Sequence, residues 1–322
     1  MPIQLAELLD DGDIPTSLLL GRLVLFTITD QPTPRSVLEA AFLQHNLNPT
    51  MLPPETKPVD AFKKATSEAK EKFPLPDGTT AHFLCRDVAS TPEYVKRQIT
   101  REIKDSRAKR LSYDKAIDCV FYRATPSATP GDGKGRERLA ITVDTGLPAA
   151  EHDLIKQVGQ DILNRYAVYY NNLDGNRLRA VVRDYLKHLN AIEIKGGVYF
   201  VHVARDNELA NLQALVNNLG GGCQMNTIPM VDVAREREMV TAAFEREAAQ
   251  ALQDLTRDIK EIRSTRKTVS PSAYAKVQDR YNEVVAKANE HLVTLQISQD
   301  ITGAEAEVAL EELGLLREDM LR

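Results

Sequence analysis

Residues 173–203 read LDGNRLRAVVRDYLKHLNAIEIKGGVYFVHV. Leu178, Val181, Val182, Tyr185, Leu186 and Leu189 recur at spacings of three and four, which marks one buried helix face. Directly after them, Ala191–Ile194 and Val198–Val203 flank Lys195-Gly196-Gly197. A Gly-Gly pair supplies the positive φ that a tight hairpin turn needs, so two antiparallel strands are predicted here. Helix, then hairpin, is also the order of the latter part of a winged helix. The stretch therefore predicts an α+β chain with a winged-helix-like centre.

Upstream, Leu23–Thr29 is a strand-like run, and helical faces follow at Val37, Leu38, Ala41, Phe42 and again at Val59, Phe62, Ala65, Ala69. Four further runs, Ala81–Cys85, Val95–Ile103, Ile117–Arg123 and Arg138–Val143, predict an antiparallel meander. Thr33 before Pro34 predicts a capped, proline-led start for the first helix, and Pro53, Pro54 and Pro58 punctuate the chain before the second. Downstream of the hairpin, Leu209, Leu212, Val216 and Leu219 predict another helix, ended by Gly220–Gly222. Cys223–Val233 is a last strand, placed at a sheet edge by Pro229.

The final ninety residues change character. Leu252, Leu255, Ile259 and Ile262 form one seam; Tyr274, Val277, Tyr281, Val284 and Leu295 form a second after Ser270-Pro271. Two such helices joined by a short polar loop predict an antiparallel coiled-coil hairpin. Thr302-x-x-Glu305 is a capping box opening an amphipathic helix with Leu310, Leu313, Leu316 and Met320. Three spans result: 1–150 (α+β with a meander), 151–232 (helix-turn-helix, hairpin and β-α-β) and 233–322 (helical hairpin and terminal helix).

The chain has 322 residues, 43% hydrophobic and 27% charged, with net charge −5. That charge argues against a protein whose whole surface wraps nucleic acid. It is not uniform, however: residues 95–138 hold 12 basic and 6 acidic groups, net +6. Trp is absent and aromatics are 6%, so any nucleic-acid contact is expected through phosphates. The three cysteines (85, 119, 223) lie far apart without CxxC spacing, which predicts a reduced, cytoplasmic setting. Ser17–Thr29 is too short and too interrupted to span a bilayer, and no membrane segment is expected.

No catalytic, cofactor or metal residues stand out. Gly131-Asp-Gly-Lys134-Gly lacks the Ser or Thr that follows the lysine of a phosphate loop. The six histidines show no HExxH or other ligand spacing. His202 reads as a packed or edge strand residue, and His291 falls on the second seam. Two basic sets are the candidate nucleic-acid contacts. Arg177, Arg179, Arg183 and Lys187 form a stripe opposite the apolar helix face, with Lys195 at the hairpin tip. Arg97, Arg101, Lys109 and Arg110 lie in the basic segment, where alternation would place charges on one sheet face.

Pro58-Val-Asp-Ala-Phe-Lys-Lys-Ala-Thr66 and Gly196-Gly-Val-Tyr-Phe-Val-His202 resemble stretches of a group of uncharacterised prokaryotic proteins, some carried by phages. The resemblance implies no activity and no catalytic residues. The leading expectation is a non-enzymatic interaction or assembly protein. Its helical hairpin, through the two seams, would bind a partner protein or a second copy of the chain. The alternative is DNA binding through the two basic sets, and the third is an enzyme with an unrecognised site.

Overall fold

The computed structural model describes residues 14–75, 78–104, 111–123, 138–265, 269–295 and 303–321. The order begins β1 (Leu19–Thr27), β2 (Thr33–Pro34), α1 (Arg35–Gln44), α2 (Pro58–Ser67), β3 (Lys72–Pro74), β4 (Thr80–Ser90), β5 (Tyr94–Lys104), β6 (Leu111–Tyr122) and β7 (Arg138–Val143). It continues α3 (His152–Asn171), β8 (Asn172–Leu173), α4 (Gly175–His188), β9 (Ile192–Lys195), β10 (Val198–His202), α5 (Asp206–Asn218) and β11 (Gln224–Val231). Three helices close the chain: α6 (Ala234–Thr265), α7 (Pro271–Thr294) and α8 (Gly303–Leu321). The fold is α+β with antiparallel sheets and a helical C-terminal region.

The chain divides into two compact units. One comprises the described parts of Met1–Thr29, Glu39–Leu52 and Leu178–Arg322; the other comprises Asp30–Leu38 and Pro53–Arg177. These boundaries cut across the three sequence spans because β1 pairs with β10 and β11, late in the chain.

The second unit is the expected meander, a five-stranded sheet in the order β3-β4-β5-β6-β7. Phe83, Val95, Ile99, Ile117, Cys119 and Phe121 point to one face and pack with Phe62 and Ala65 of α2 and Ile155, Val158 and Ile162 of α3. Phe62 stacks on Phe121 with ring centroids 5.7 Å apart. Helices thus cover one face of this sheet, the arrangement that period-2 strands with one apolar side require.

The first unit holds a four-stranded antiparallel sheet in the order β11-β1-β10-β9. Leu23 and Phe200 face α6, while Arg22 and Thr227 face α5, where they bond Asp206 and Gln213. Gly21 is required: a Cβ there would lie 2.2 Å from the Val201 carbonyl oxygen and 2.6 Å from the Phe200 ring. The hairpin turn has the predicted backbone, with φ +57° at Gly196 and +83° at Gly197. It is no free wing, because β10 is an inner strand paired to β1. The winged-helix likeness therefore ends at the order of elements.

Both sheet edges are covered by side chains. On β11, the Met225 amide donates to Asn217 Oδ1 at 2.7 Å, and its carbonyl accepts from Gln213 and Asn217. Pro229, four pairs further on, has no N–H to offer. On β9, the Glu193 amide donates to Glu247 at 3.0 Å, and Lys287 caps the neighbouring Ala191 carbonyl at 2.8 Å.

The C-terminal helices form one bundle with two cores. The first half of α6 (Val240, Ala243, Phe244, Ala248) and the end of α7 (Ala288, Leu295) pack on the sheet at Leu20, Ile192, Phe200 and Met230. The second half of α6 leaves the sheet and, with the start of α7, packs instead on Leu313 and Leu316 of α8. At 32 residues and 1.5 Å per residue, α6 is about 48 Å long. Its register with α7 is antiparallel, fixed by Asp258–Arg280 at 2.6 Å and Glu247–Lys287 at 2.5 Å. Ser270 caps α7 by accepting from the Ala273 amide.

Candidate functional site

The two expected basic sets meet different fates. In the meander, Arg97 and Arg101 share the helix-covered face with Val95 and Ile99, because all four have the same strand parity. Arg97 donates to the Lys63 carbonyl at 2.6 Å and to Thr66, and pairs with Asp87 at 2.7 Å. Arg101 is held by both carboxylate oxygens of Glu151, each at 2.5 Å, and by Asp114 at 3.1 Å. Side-chain exposure is 6% for Arg101 and 8% for Glu151, so this arginine belongs to the core. The expectation of a charged sheet face built on Arg97 and Arg101 is corrected accordingly. Lys109, Arg110 and the Gly131–Gly135 loop lie outside the described residues, as does Thr302 of the capping box. On the opposite sheet face, Lys96 and Lys115 pair with Asp118, and Arg86 pairs with Glu102.

The stripe on α4 also divides. Arg177 donates to the Pro54 carbonyl and the Thr56 hydroxyl, and Arg179 donates to the Ile28 carbonyl at 3.1 Å. These two hold the chain together locally. Arg183 and Lys187 remain exposed, one helical turn apart, and Lys195 is exposed at the hairpin turn.

Arg183 and Lys187 border a groove of about 690 Å³ at the β9 edge of the first unit, closed by Ala191, Glu193, Gly196, Gly197, Tyr199 and Glu247. The Glu193 carboxylate accepts from the Gly197 amide at 3.1 Å. Glu247 is neutralised by Lys287 at 2.5 Å. The Tyr199 ring is backed by Phe26, with centroids 6.2 Å apart and planes 24° from parallel. Burial, and then Glu193, push the Tyr199 hydroxyl above its ordinary pKa; a hydrogen bond from Arg183 opposes them. Glu193, Tyr199 and Glu247 carried no sequence signal, since one strand, one hairpin and one distant helix supply them.

The seam residues are interior. Leu252, Leu255, Ile259, Val277 and Leu295 are buried, and Ile262, Tyr274, Tyr281 and Val284 are half-buried. The expectation that these seams present an assembly surface is corrected: the sheet and α8 cover them. His291 is 3% exposed beside Phe244, ring centroids 4.9 Å apart, and neither ring nitrogen has a hydrogen-bond partner. Burial, and then the Lys287 charge, push it down to about 4, so it is neutral at pH 7. His202 accepts from the Ala204 amide and is half-buried.

The bundle exposes apolar side chains at several places: Val293 of α7 is 78% exposed, Val308 on the far side of α8 is 48% exposed, and two leucines share another side of α8. Ala309, Leu313 and Leu316 point inward, but Leu310 is 53% and Leu321 74% exposed. At about 100° per residue, Leu310, Gly314 and Leu321 fall in one outward stripe. Gly314 has no contact that explains it, since a Cβ there would meet nothing within 4 Å. Leu310 was expected on the inner face with Leu313; it sits about 60° round the helix from it, the side α6 and α7 leave open.

Residues 19–320 match a family of unknown function, DUF6744. The chain belongs to it. No curated protein and no solved structure matches. Family membership covers both units and the bundle, and it assigns no activity to any of them. Among the described residues no group of three or more His, Cys, Asp and Glu is placed to hold a metal ion, and no helix is long and apolar enough to cross a membrane.

Proposed function

We propose that this is a non-enzymatic assembly protein that self-associates through the outward stripe of α8. The observation that carries the reading is the stripe itself, Leu310, Gly314 and Leu321 on a helix already anchored to the bundle through Leu313 and Leu316. A glycine in an exposed helix interior costs about 1 kcal/mol relative to alanine. Close approach of another helix gives it a reason to be there.

Charge selects a second copy as the occupant. Arg317 borders the stripe on one side and Glu318 on the other, at nearly the same level. Two copies laid side by side about a two-fold axis parallel to α8 bring each Arg317 against the partner's Glu318, as flanking charges do in parallel coiled coils. One face of a 19-residue helix is about 28 Å by 10 Å. That footprint is well below the roughly 800 Å² per partner of a standard interface, so the association is weak and reversible.

Light scattering over a concentration series tests the proposal. The expected result is a mass that rises above 35.9 kDa with concentration in the wild type and stays at 35.9 kDa in the Leu310→Glu, Leu321→Glu double variant. A wild-type mass fixed at the monomer value throughout would overturn it.

A further inference from the structure

We propose that the groove beside α4 and the β9–β10 hairpin binds a ribonucleotide. Its volume, about 690 Å³, lies within the range of small-molecule sites, and it is concave where a duplex reader must protrude. The two arginines that would extend a basic stripe along α4, Arg177 and Arg179, are tied to backbone carbonyls. The cations left on α4 facing the groove are Arg183 and Lys187, one turn apart, which suits one phosphate group or a short phosphate chain.

The rest of the lining answers the other parts of such a ligand. Glu193 gives one acceptor site to the Gly197 amide and keeps the remaining lone pairs, and a carboxylate so placed is the usual partner of a ribose diol. Tyr199, held flat by Phe26, offers a ring for a base to stack on. Glu247 does not oppose the phosphate, because Lys287 and the Glu193 amide occupy it. Of the two cations, Lys187 also lies 3.5 Å from the exposed Asp184 on the same helix, which leaves Arg183 the stronger charge at the phosphate end.

Calorimetric titration of the full chain with ATP, with dATP and with a duplex oligonucleotide tests this. ATP binding is expected to be at least tenfold weaker in the Arg183→Ala, Lys187→Ala double variant, with a melting curve taken alongside to show that the variant is folded at the titration temperature. Glu193→Gln should abolish a preference for ATP over dATP while dATP affinity stays the same. Absence of ATP binding at millimolar concentration, or ATP binding indifferent to the double variant, overturns the proposal. So does tighter binding of the duplex that the same double variant removes, which would make the groove a nucleic-acid contact.

Discussion

Substituting Arg101 separates a structural arginine from a polyanion contact. Arg101→Ala leaves the Glu151 carboxylate 8% exposed, stripped of a two-bond partner at 2.5 Å, on the helix-covered side of the meander. Removing one member of a buried ion pair costs about 3–5 kcal/mol, because the other charge stays desolvated. Replacing the pair by apolar groups of similar volume, Arg101→Met with Glu151→Leu, is about neutral by the same reasoning. The double variant should therefore recover most of what the single variant loses. Urea titration followed by hydrogen exchange at the β5 and β6 amides reads the loss locally, in the unit that contains the pair. A cost below about 1 kcal/mol for Arg101→Ala, or a double variant no better than the single, refutes the reasoning.

Other outcomes follow from single groups. His291 is held at about 4 in the folded chain against an ordinary 6.5, so below pH 6.5 the unfolded chain takes up a proton that the buried ring does not. Stability should fall as pH drops from 6.5 to 4, by up to about 3 kcal/mol, and His291→Leu should flatten that part of a denaturation-versus-pH curve. Gly21→Ala places a methyl 2.2 Å from the Val201 carbonyl oxygen, and a fall in thermal stability equivalent to about 3 kcal/mol or more is expected. Cys119 is buried and its thiol is pushed up to about 12 by desolvation, then by Cys85 and Asp118. A thiol reagent at pH 8 should leave it unlabelled in the folded protein and label it fully in urea.

Local periodicity carried much of the fold. The four strand-like runs between Ala81 and Val143 became β4 to β7 in the order written, because each hairpin joins neighbours. The Gly-Gly turn and the edge position of Pro229 were legible for the same reason. Long-range closure was not. Nothing in Leu23–Thr29 says that its partners lie beyond residue 197, so the split into spans missed the two interleaved units. The site suffered likewise. Arg101 looks from sequence like any strand cation; its parity with Val95 and Ile99 points it inward, and Glu151, fifty positions away, supplies the charge that holds it there. The seams are legible as apolar faces, yet pattern alone does not say whether α8 or another molecule covers them.

Self-association through α8 is most directly tested by sedimentation equilibrium on a charge-swap series. An interface of this size predicts a weak dimer whose population rises with concentration. Arg317→Glu should weaken the dimer, and Arg317→Glu combined with Glu318→Arg should restore it, since each cation then meets the partner's carboxylate again. Monomer at every concentration, or a dimer that ignores both variants, would contradict the account.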